Sequence, residues 1–188
     1  MFDGWAASFP GVTVAAVDLL EGLDVARASH ADYAAVVVRA ARSMRDPVVL
    51  CGWSMGGLAV LQAAAQARPH AVVLLDSSPP AEVQGFDGSV EIEDGAFDPE
   101  EVYGPFPAGV RARRESLRAR TERKRGISVP SLPCPSLVVY GDEFRNERGP
   151  PLANVYGSDE LDFPGLDHWG IVSDTRVREA VARWLTSA

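Results

Sequence analysis

A chain of 188 residues, 46% of them apolar, holds enough material for one sizeable core and is too apolar to stay disordered. Its formal charge of −8 speaks against nucleic acid as the main partner, because gripping phosphates takes a net basic face. No basic segment leads into a long apolar run and nowhere do about 18 apolar residues follow one another, so neither a secretory leader nor a membrane span is expected and the protein is expected to be cytoplasmic.

The first patterned stretch, Val12 to Val17, is apolar and β-branched and ends at Asp18, the pattern of a buried parallel strand. A loop follows from Asp18 to Asp24. Ser29 to Asp32 has the S-x-x-D form of a capping box, which starts a helix striped with Tyr33, Val37, Ala40, Ala41 and Met44. That helix ends before Asp46-Pro47.

Val48-Val49-Leu50 then runs straight into Cys51-Gly52-Trp53-Ser54-Met55-Gly56-Gly57, an apolar strand meeting a serine flanked by glycines two residues away on each side. A strand that turns sharply into a helix holds such a serine at its apex, with the hydroxyl exposed above the sheet. Gly52 and Gly56 are read as the positions where a Cβ would crowd the crossing. The helix from about Met55 to Ala67 brings unpaired amides near the serine, where they stabilise developing negative charge.

Ala71 to Leu75 is a further all-apolar strand, closed by Asp76-Ser77-Ser78-Pro79-Pro80. From about 81 to 134 the alternation stops, and a Gly-, Pro- and acid-rich stretch leads into a helix expected over roughly Ala108 to Lys124. Connections this long are usually lids or mobile segments. The region from Arg111 to Arg125 is dense in arginine, with only Glu115 and Glu122 acidic. It either steers an acidic acyl carrier protein or a carboxylate substrate, or forms a solvated face paired with the acids of the same insertion.

Leu137 to Tyr140 resumes the strand pattern, Pro151 to Tyr156 reads as a short helix and Glu160 to Phe163 as a last strand. Thr175 to Leu185 closes the chain as an amphipathic helix. Strands alternating with helices imply an α/β fold, here a parallel sheet of about five strands covered by helices on both faces, in a single domain over residues 1–188.

In these residues the chain resembles the α/β-hydrolase superfamily, from its first strand to its last helix. The resemblance assigns Ser54 as nucleophile and His168, in Gly165-Leu166-Asp167-His168-Trp169-Gly170, as the histidine. Of the other histidines, His30 falls in the capping box and His70 follows Pro69, and both read as solvated surface residues. The acid falls to Asp142, after the strand ending at Tyr140. Relatives often carry it three residues beyond the corresponding glycine, where this chain has Phe144, so Glu143 and then Asp76 follow as alternatives.

The family also places two or three strands ahead of the one read at Val12, including one followed by a His-Gly loop that supplies an oxyanion amide. Nothing of that loop is present, and losing one such donor costs about 3 kcal/mol of transition-state stabilisation. The chain is then a fragment that starts late, a non-catalytic protein, or a reduced sheet in which the Val12 strand pairs with the elbow strand. In the last case, which is favoured, the amides of Asp18 and Leu19 join that of Met55 at the oxyanion position.

Trp53 and Met55, with Phe97, Tyr103 and Phe106 from the insertion, are expected to line an acyl or aromatic pocket, unless those aromatics only pack the lid. Cys51 and Cys134 read as packing residues, and with three scattered histidines they give no metal-ligand spacing, so no cofactor is expected. The implied activity is cleavage of a carboxylic ester or thioester through an acyl-enzyme. A binding protein on the same fold is the alternative, and a carbon-carbon bond hydrolase or lyase is a third reading.

Overall fold

The computed structural model describes residue 2 and residues 4–187. Helix α1 (His30–Ser43) leads into strand β1 (Val49–Trp53), helix α2 (Met55–Ala67) and strand β2 (Ala71–Leu75). The connection that follows carries α3 (Ala81–Gln84), β3 (Ala96–Phe97), α4 (Pro99–Tyr103), β4 (Glu115–Ser116) and α5 (Leu117–Arg125). Strand β5 (Ser136–Tyr140), helices α6 (Arg145–Arg148) and α7 (Pro150–Tyr156), strand β6 (Asp159–Asp162) and helices α8 (His168–Ser173) and α9 (Thr175–Leu185) complete the order. Among the described residues no helix is long and apolar enough to cross a membrane.

The main sheet is parallel, in the order β1-β2-β5-β6. Every residue of the two central strands is buried, which is why both read as unbroken apolar runs. Successive side chains of a strand point to opposite faces. Val72 and Leu74 accordingly join Tyr33, Val37, Leu58 and Leu61 in one core, while Val73 and Leu75 join Ile171, Val177 and Val181 in the other. The sheet is thus covered on both faces, by α1 and α2 on one and by α8 and α9 on the other. The capping box forms as read: Ser29 Oγ accepts from the Asp32 amide at 3.1 Å and Asp32 Oδ2 from the Ser29 amide at 2.9 Å.

Among the described residues the main sheet has four parallel strands rather than about five, because Val12 to Val17 forms no strand. Val12, Val14 and Val17 are 63%, 41% and 40% exposed. A β-branched run favours an extended backbone but needs a partner edge to become a strand. The free edge of β1 is kept from it by a cavity of about 2040 Å³ that both segments line. The direct pairing of these two segments is therefore not formed.

Between residues 81 and 134 the helix is shorter than expected. Residues 111–114 are irregular, β4 pairs antiparallel with β3, and Ser116 caps α5 by accepting from the Ala119 amide. This segment is fastened to α1: Glu122 Oε2 accepts from the His30 amide at 2.7 Å, and Ser116 Oγ donates to the Ala28 carbonyl at 2.5 Å. His30, read as a surface residue, is fully buried with Nδ1 2.5 Å from Gln62 Oε1. Its burial pulls the imidazole pKa down to about 4. His70 is exposed, as read.

Candidate active site

Ser54 stands between β1 and α2 at φ 53° and ψ −127°, a left-handed backbone that costs a non-glycine residue on the order of 1 to 3 kcal/mol. Three backbone hydrogen bonds hold it there. Its amide donates to Leu75 O at 3.1 Å, and its carbonyl accepts from the amides of Gly57 at 3.0 Å and Ser78 at 2.9 Å. Both neighbours on the β2 side are buried.

The glycines divide differently from the reading by sequence. A Cβ at Gly52 would lie 2.5 Å from Gly56 O, and one at Gly57 would lie 2.2 Å from Ser77 Oγ. One at Gly56 would meet only Leu19 Cδ1 at 3.8 Å. Gly52 and Gly57, rather than Gly56, permit the close crossing of α2 over β1 and the chain after β2.

His168 is the first residue of α8, whose N-terminus Asp167 caps by accepting from the Gly170 amide at 2.6 Å. Its ring is walled by Trp53, whose ring is stacked at 4.5 Å, and by Phe144, edge-on at 5.1 Å. The Trp53 indole N–H donates to the His168 carbonyl at 3.0 Å. Nδ1 lies 3.0 Å from Oδ2 of Asp76, a carboxylate that is fully buried.

Asp142, expected as the acid, does not meet the ring. Asp142 is exposed, and its two oxygens are taken by the Gly165 amide at 2.7 Å and by Arg145 Nη2 at 2.7 Å. Arg145 holds its carboxyl below the usual range. Glu143, the first alternative, accepts from the His168 backbone amide at 2.9 Å. Both acids therefore fix the loop that carries the histidine, and the third-ranked Asp76 meets the ring. Register explains the outcome: Trp53 pairs with Leu75 across adjacent parallel strands, so the next residues, Ser54 and Asp76, emerge side by side at the same edge of the sheet. Asp76 also has a positive φ of 42°.

Ser54, Trp53, Met55, Leu19 and His168 all line the large cavity. Met55 opens α2, so its amide has no acceptor four residues earlier. Leu19 sits over the elbow beside Gly56, and Asp18 is tied to the insertion by Arg113 at 2.5 Å. Tyr103 and Phe106 line the cavity as expected, Phe106 against Trp169 at 4.9 Å. Phe97 does not; it packs on Tyr103 and under the Arg120 guanidinium. Cys51 is not packed but exposed on the cavity side of β1.

The sequence profile of the alpha/beta hydrolase family matches residues 3–186. The chain belongs to that family. Its fold is similar to an esterase from Rhodococcus sp. (22% identity, 84% of this chain and 72% of that one, TM-score 0.57). It is also similar to a monoacylglycerol lipase from Paleococcus ferrophilus (16%, 85% and 76%, 0.56) and to an esterase from Thermogutta terrifontis (16%, 88% and 75%, 0.54). No match is found among curated proteins.

Proposed function

We propose that this α/β-hydrolase cleaves a carboxylic ester or thioester through an acyl-enzyme on Ser54. The observation that carries the reading is the 3.0 Å contact between His168 Nδ1 and the buried Asp76 carboxylate, at the sheet edge where the strained Ser54 stands. An ionised Asp76 accepts the Nδ1 proton and leaves Nε2 as a base. Nε2 takes the Ser54 proton as Oγ attacks the carbonyl, then returns it to the leaving alcohol or thiol. Water, activated the same way, releases the carboxylate and restores Ser54. The Met55 amide is assigned to the oxyanion; that of Leu19 loses its basis with the unformed strand pairing. Esterase and lipase structures among the fold's neighbours agree with this class.

In this reading residues 81–134 form the lid, with Tyr103 and Phe106 facing the substrate. An acidic carrier protein is the less favoured partner, since Arg113 and Arg118 are already paired with Asp18, Asp94 and Glu122. A cytoplasmic location is part of the proposal. The cavity along the free edge of β1 favours a second reading, a binding protein on the same fold.

Hydrolysis of p-nitrophenyl esters by the native chain, Ser54→Ala and His168→Ala decides between the two. A serine hydrolase loses about a thousandfold or more of its rate in either variant and is labelled by a fluorophosphonate at Ser54. A native chain no faster than Ser54→Ala, and unlabelled, is a binding protein.

A further inference from the structure

Two arginines line the cavity that holds Ser54 and His168: Arg148 at the end of α6, and Arg123 in α5 of the insertion. Arg148 is partly buried, and its Nε is fully buried without a hydrogen-bond partner. Its guanidinium lies 3.5 Å over the Phe144 ring, which in turn stands edge-on to His168, and its Nη1 donates to the Asp76 carbonyl at 3.2 Å. Among the described residues neither arginine makes an ion pair, whereas Arg113, Arg118, Arg145 and Arg176 all do.

Burial pulls the Arg148 pKa down and Asp76 pulls it up; Arg123 acts with burial, while Glu147 and Glu143 oppose it. Glu115, which also lines the cavity, feels Arg123 and Arg120 without an ion pair to either, and burial raises its carboxyl. Partial burial of a cation with no counter-charge in contact is costly. Two such cations facing one cavity, in a chain of net charge −8, mark a place where a ligand supplies the missing charge.

We infer that Arg148 and Arg123 form an anion subsite of the active cavity, selecting substrates that carry a carboxylate a few bonds from the reacting carbonyl. The inference rests on the serine-hydrolase reading for its chemistry but not for its anion binding.

The test compares mono-p-nitrophenyl glutarate with the neutral p-nitrophenyl valerate, close to it in length. The native chain should favour the glutarate in kcat/KM by about tenfold, against the repulsion of its own net charge. In Arg123→Gln and Arg148→Gln the ratio should fall to about one, mainly through KM. Arg148 acting only by holding the Asp76 backbone would lower kcat on both esters alike, and that result overturns the subsite. So does a native chain that cleaves valerate without preferring glutarate, an outcome that leaves the serine reading standing. If neither ester is cleaved and Ser54 is not labelled, the serine reading fails; calorimetric binding of glutarate, lost in Arg123→Gln, would still support the subsite, and no binding would overturn it.

Discussion

The two flanks of β1 are built on opposite terms. On the inner flank β2 is paired residue by residue, fully buried, and ends in Asp76 beside Ser54. On the outer flank the backbone edge has no strand against it, and the valines of 12–17 face a large cavity. The inner flank sets Asp76 within hydrogen-bond distance of His168, while the outer flank leaves room. Rigid placement and open volume come from the two edges of one five-residue strand.

The sharpest way to break this comparison is at the inner flank's carboxylates. Asp76→Asn should lower kcat on the order of a thousandfold, while Asp142→Asn, which loses an exposed ion pair with Arg145, should stay within about fivefold. Equal losses in the two variants would return the acid to the later strand. Steady-state kinetics on one p-nitrophenyl ester suffices.

Next in size are effects on stability, read from urea unfolding. Gly57→Ala, which drives a Cβ into Ser77, should cost roughly 2 to 3 kcal/mol, whereas Gly56→Ala, whose Cβ makes only an ordinary contact with Leu19, should be neutral or gain up to about 1 kcal/mol from helix propensity. Val73→Ala, in the buried β2, should cost about 2 kcal/mol. Val14→Ser on the open flank should fall within about 0.5 kcal/mol. A large loss at Val14 would mean that the outer run is packed in solution.

The smallest effect concerns pH. Buried His30 is neutral in the fold, its pKa depressed to about 4, whereas in the unfolded chain it titrates near 6.5. The unfolded state therefore binds the proton first, and stability is lost as pH falls from about 6.5 towards 4. His30→Gln should flatten that part of the profile by an amount on the order of 1 kcal/mol or more. An unchanged slope would place the acid sensitivity elsewhere.

Much of this was legible in the sequence. The elbow, both central strands, the capping box and the histidine before the last helices follow from local patterns. The carboxylate that meets His168 was not, because which one it is depends on the strand next to β1, and strand order is not written in periodicity. Asp76 before Ser-Ser-Pro-Pro reads as an ordinary turn aspartate, and only the register with Trp53 puts it beside the serine. Val12 to Val17 was misread for a related reason: β-branched residues state a preference, and the preference goes unmet when no edge is within reach. His30 was misjudged because its burial comes from the insertion and from Gln62 rather than from its own neighbours in sequence.

The stacking of Trp53 on His168 gives the molecule an optical readout. The indole lies on the imidazole face and donates to the His168 carbonyl, so Trp53 emission depends on whether that ring is in place. The residue next to Ser54 thereby reports the seating of the His168 loop without any substrate present, and its emission should change in His168→Ala.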